Sequence, residues 1–117
     1  GLPGFCYRPL IVRIRSAPGE LFMVVGVLKL NLILPENHSL KGKRGVLQRI
    51  QSRVSHQFNI SVTECGDQEL WQSTILGFGV VGSSQQVVDA TLQKVVHFID
   101  RLNLAEVGRA KTEFFHC

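Results

Sequence analysis

Lys41, Lys43, Arg44, Arg49 and Arg53 follow one another along the chain with no acidic residue between Glu36 and Glu64. The first three lie in Ser39-Leu40-Lys41-Gly42-Lys43-Arg44-Gly45, where an amphipathic helix is expected to begin. A helix N-terminus carries roughly half a positive charge from its aligned peptide dipoles, so acids are favoured there and bases are not. Gly42 and Gly45 each cost about 1 kcal/mol relative to Ala in a helix interior. A sequence selected only to start a helix would carry neither feature. Free N–H groups at a helix head, a capping serine and adjacent cations suit an anion such as phosphate. The candidate anion-binding set is therefore Ser39, Lys41, Lys43, Arg44, Arg49 and Arg53, with Arg49 and Arg53 one turn apart on one flank. The competing reading is a solvated basic face that keeps the protein soluble.

Other reactive residues form no constellation. Cys65 stands beside Glu64 and close to Asp67, but no histidine is expected near it to act as a base, so it reads as a small strand residue. His38, His56, His97 and His116 are too scattered for metal-ligand spacing. Gly42-Lys43 lies outside any G-x-x-x-x-G-K-[ST] pattern, which excludes a Walker-type loop. No catalytic residue, metal or cofactor is assigned. Cys6, Cys65 and Cys117 make an odd count without C-x-x-C spacing, which fits a reducing cytoplasm better than a disulfide framework.

The elements that carry these residues follow from hydropathy. From Val24 to Leu34 the pattern alternates, with Val24, Leu28, Leu30, Leu32 and Leu34 on one face, as in a half-buried strand. Pro35 to His38 breaks it, and Ser39 caps a helix that runs to about Phe58. Leu40, Val46, Leu47, Ile50, Val54 and Phe58 share its apolar face, and Lys43 projects near the head of that stripe. Asn59 to Gly66 reads as a second strand, Asp67 to Gln72 as a turn, and Ser73 to Gly82 as a third strand. Ser83 with Gln86 forms a capping box for a second helix. That helix buries Val87, Val88, Leu92, Val95, Phe98, Ile99 and Leu102. A last strand falls within residues 104–115. The order β-α-β-β-α-β with right-handed crossovers is an α+β, ferredoxin-like sandwich: a four-stranded sheet with two helices on one face.

A chain of 117 residues with 44% hydrophobic and 19% charged residues describes one globular domain. No apolar run approaches the roughly 20 residues of a membrane helix. The formal charge is +4, but three of the 13 basic and one of the 9 acidic residues precede Met23. The body from 23 to 117 is thus only mildly basic, and clustering must carry any electrostatic case. Residues 1–22, with Pro3, Pro9 and Pro18, read as a cloning remnant or translated upstream sequence, with a native extension as the alternative. Val12 to Arg15 is a possible added strand.

Met23 onward, the loop at Leu34-Pro35, Ser39-Leu40-Lys41-Gly42-Lys43-Arg44, Phe58 to Glu64 and Gly66 to Gln72 together resemble the YlxP-like family of small bacterial proteins, a domain of unknown function. The resemblance covers 23 to about 101 and fades in the last strand. It implies a ferredoxin-like fold in a cytoplasmic protein. Genes of that family often lie among transcription and translation factors, beside a ribosome-binding factor, which implies RNA or a ribosomal subunit as partner. It supplies no catalytic residue. Gly42 and Gly45 depart from the family, which leads one to expect another polar residue in the basic turn.

Two further surfaces stand out. The sheet face away from the helices would show Val25, Val27, Lys29, Asn31, Ile33, Ile75, Gly77, Gly79 and Val81. It lacks the aromatics of an RNA-stacking platform. An open face this apolar suggests a homo-oligomer, with a dimer favoured, through Val27, Lys29, Ile75, Gly77, Gly79 and Val81. A weakened central strand, or cover by the N-terminal segment, are the alternatives. Trp71, in a polar turn with Asp67, Gln68 and Gln72, is either an interface anchor or a side chain folded onto a nearby apolar edge with its indole N–H satisfied. The second is favoured.

Overall fold

A computed structural model describes residues 22–117, so Cys6, Val12 to Arg15 and any cover they give the sheet lie outside the described residues. The elements are β1 (Val24–Ile33), α1 (Leu40–Gln57), β2 (Ser61–Gly66), β3 (Ser73–Gly82), α2 (Gln85–Leu102) and β4 (Glu106–His116). The strands form one antiparallel sheet in the order β2-β3-β1-β4, the ferredoxin-like arrangement expected from the chain order.

Alternation in β1 sends Val24, Leu28, Leu30 and Leu32 beneath the helices, where each is almost fully buried. Leu76, Phe78 and Val80 of β3 join them, and Leu47, Ile50 and Val54 of α1 close the layer with Val88, Leu92, Val95 and Ile99 of α2. Gly26 marks the tightest approach, since a Cβ there would overlap the side chain of Val88. Phe58, just past α1, meets Phe98 edge to face at 5.5 Å and fastens the two helices together.

At α2 two details differ from the sequence reading. The cap of α2 is Ser84, whose hydroxyl accepts from the Val87 N–H at 3.3 Å; Ser83 and Gln86 form no capping box. Gly82 still pairs with Val24, so Ser83 is spent leaving the strand and the helix begins one residue later. Val87 is 56% exposed, because the buried stripe runs Val88, Leu92, Val95, Ile99 and leaves Val87 a helical step to one side.

Register irregularities bend both edges. β4 inserts an extra residue opposite Asn31, and β2 does so between Glu64 and Gly66. The second bulge turns the chain into the 67–72 loop, which Asp67 enters at φ 57°, a left-handed conformation that aspartate tolerates.

Candidate functional site

The head of α1 lies against the 67–72 loop, and Lys43 joins them. Its side chain is 2% exposed. The ammonium donates to the carbonyls of Asp67 at 2.6 Å and Leu70 at 2.7 Å, with Gln68 O further off at 3.4 Å. Glu64 Oε2 lies 3.2 Å away and forms the only ion pair among the described residues. That oxygen also accepts from the buried Thr74 hydroxyl at 2.7 Å. An ammonium has three protons to donate, and all are directed inward. Lys43 therefore leaves the anion-binding set: its position at the head of the apolar stripe makes it an internal strut, out of reach of an external phosphate.

The same loop is held from the other side of the sheet. Asn31 Nδ2 donates to Ser73 Oγ and Thr74 O, each at 3.0 Å, and Ser73 Oγ donates to Asp67 Oδ2 at 2.8 Å. The β1–α1 connection supplies a third tie. Asn37 Nδ2 donates to Trp71 O at 2.6 Å and Ser39 O at 2.8 Å, Gln72 Nε2 reaches Pro35 O and Asn37 O, and the Leu34 N–H donates to Gln72 O. Sequence reading singled out Asp67, Gln68, Trp71 and Gln72 but not the clasp. The available signal was Lys43 in register with the buried Leu47, Ile50 and Val54, at a position where an apolar side chain would be expected.

Ser39 caps α1 as expected, its Oγ accepting from the Gly42 N–H at 3.0 Å. Gly42 has a steric reason: a Cβ would overlap Asn37 Oδ1. Gly45 has none, since among the described residues nothing beyond its own stretch of helix lies within 4 Å of its Cβ position. Lys41, Arg44, Arg49 and Arg53 are all exposed, and none has a carboxylate within ion-pair distance among the described residues. They do not form one cluster. At 100° per residue Arg44 faces the β2 side, where it shares a hollow with Leu40, Gln68 and Glu69, while Arg49 and Arg53 lie on the opposite flank and Lys41 between.

Trp71 is 52% exposed, as is Leu70, and among the described residues the Trp71 indole N–H has no protein acceptor. The packing role favoured by sequence is not met, because the clasp holds the backbone of the loop in place and leaves the ring outside. On the open sheet face Val27, Lys29, Gly77 and Gly79 line a hollow of about 330 Å³ with Thr63 and Cys65 of β2. Ile75 is half-buried and Val81 is 62% exposed. Lys29 stands opposite Lys111 of β4, with Glu113 beside them. No group of three or more His, Cys, Asp or Glu residues placed to hold a metal occurs among the described residues. Among the described residues no helix is long and apolar enough to cross a membrane.

A family model described as a protein of unknown function (DUF503) matches residues 25–112. The chain belongs to that family. It is 39% identical over 92 residues to Uncharacterized protein YlxP of Bacillus subtilis (strain 168), an alignment covering 79% of this chain and 100% of that protein. The clasp and all four exposed α1 cations fall inside the matched segment. Among solved structures, the structural-genomics protein YJCS shares 9% identity at a TM-score of 0.48, with 76% of this chain and 96% of that one covered. A C-terminal segment of the alpha subunit of aIF2 from Pyrococcus abyssi shares 10% at 0.47, covering 86% and 53%. Neither likeness carries a functional argument.

Proposed function

We propose that the protein is a non-enzymatic RNA-binding protein, associated with the ribosome, that grips phosphates through Lys41, Arg44, Arg49 and Arg53 on α1. One observation carries the reading: four exposed cations occupy a helix that has no acidic residue, and among the described residues no carboxylate pairs with any of them. Unpaired exposed cations cost little in a folded protein and gain most when a polyanion releases its counterions. With Lys43 out of the set, the grip rests on side chains spread around the exposed half of the helix, from Lys41 and Arg44 near its head to Arg49 and Arg53 further along. Binding of labelled RNA and of ribosomal subunits tests it. Replacing Lys41, Arg44, Arg49 and Arg53 together by alanine is expected to reduce binding at least 100-fold at low salt, roughly the loss of several phosphate contacts. Undiminished binding by that variant removes α1 from consideration.

A second reading concerns the open sheet face. Gly77 and Gly79 leave a trough flanked by Val27, and Val81 stands proud of the surface, so a second copy could seat against it to form a homodimer. The Lys29–Lys111 pair works against a dry symmetric contact unless Glu113 of the other copy faces it. The two readings are compatible, since they use opposite faces of the sheet.

A further inference from the structure

The clasp around Lys43 removes a charge from water, a cost that its inward partners must offset. What it secures is a six-residue loop that contributes almost nothing to the core. Asp67, Gln68, Leu70, Trp71 and Gln72 all have their carbonyls held, by Lys43, by Asn37 or by the Leu34 N–H. The outcome is a rigid backbone carrying an exposed Trp71 indole beside Leu70, at the rim of an open hollow shared with His38. Holding a loop in its bound shape lowers the ordering cost of binding. Leu40 and Arg44 lie in the adjoining hollow, with Glu69 at the border of the two.

We infer that Trp71 is a stacking platform for an unpaired base of single-stranded RNA, whose neighbouring phosphates run toward Arg44 and Lys41 at the head of α1. Single-stranded RNA is recognised where splayed bases stack on aromatic side chains beside cations, and the sheet face used by other RNA modules offers no aromatic on β1 or β3 here. An indole accepts any base on its flat face, so the site would discriminate strand state more than sequence. A ring on a fixed backbone, with its N–H free to meet a base or ribose oxygen, suits this better than a packing role. The assignment rests on the RNA-binding reading above and adds to it the ligand class, single strand over duplex.

Trp71 is the only tryptophan of the chain, so intrinsic fluorescence reports this site alone. Titrate the full chain with oligouridylate, with duplex RNA of equal length, and with inorganic polyphosphate, which has the charge and no bases. The expected result is saturable quenching by the single strand and little by the duplex or polyphosphate, although both anions bind. By anisotropy with labelled oligouridylate, Trp71→Ala should weaken binding about tenfold and Trp71→Phe by less than about threefold, in line with the worth of one stacked base. Oligouridylate binding that leaves the fluorescence and the Trp71→Ala affinity unchanged overturns stacking while keeping the α1 cations. Failure of all three polyanions to bind overturns both readings. Fluorescence that responds only to protein concentration assigns Trp71 to a protein contact and overturns the inference.

Discussion

Lys43 and Lys41 are two residues apart, carry the same charge, and have opposite roles. Lys43 is enclosed by three carbonyls and Glu64, whereas Lys41 stands in solvent. Lys43→Ala leaves the Glu64 carboxylate and two well-made carbonyl bonds without their donor and opens a void, so it should cost about 3–5 kcal/mol in urea unfolding. Lys43→Met restores the packing volume and should cost less. Lys41→Ala should change stability by less than about 0.5 kcal/mol. Equal effects at 41 and 43 would refute the clasp. Charge was legible in the sequence at both positions; its destination was not. A lysine at the end of an apolar stripe is usually read as reaching outward along its own methylenes, and only the loop folded over the helix head supplies the inward acceptors.

At the scale of elements, the two glycines of α1 make opposite predictions. Gly45→Ala meets open space in a helix interior and should stabilise the protein by about 0.5–1 kcal/mol. Gly42→Ala gains the same propensity but displaces the Asn37 amide that holds Trp71 O and Ser39 O, so a net loss of about 1 kcal/mol is expected. Thermal or urea unfolding of the pair decides it, and stabilisation by both would show that Asn37 yields freely. At the other helix, Ser84→Ala should cost about 1 kcal/mol and Ser83→Ala almost nothing, which distinguishes the observed cap from the capping box suggested by Ser83 and Gln86. The strands were legible because β1 and β3 alternate over ten residues each. The α2 start was misplaced by one because two adjacent serines offer the same chemistry, and only the pairing of Gly82 with Val24 decides between them. Trp71 was named from sequence, but its exposure depends on ties from β1, α1 and the β1–α1 connection that no local pattern displays.

Across the whole molecule, one sheet separates two surfaces. The helix side carries cations that no carboxylate pairs with among the described residues, together with a tied-down tryptophan loop, and the open side carries an apolar trough crossed by opposed lysines. If a second copy covers the trough, Val27→Asp should convert a dimer to a monomer in light scattering while leaving RNA affinity within about twofold; a wild-type monomer at every concentration removes that reading. RNA binding as proposed turns on the α1 cations meeting phosphates. Oligouridylate binding measured across a salt series tests this directly. Four phosphate contacts predict that log affinity falls with log salt at a slope of about −3, and that replacing Arg49 and Arg53 by alanine flattens the slope by about 1.4. An affinity indifferent to salt, or a slope unchanged by those two replacements, would contradict it.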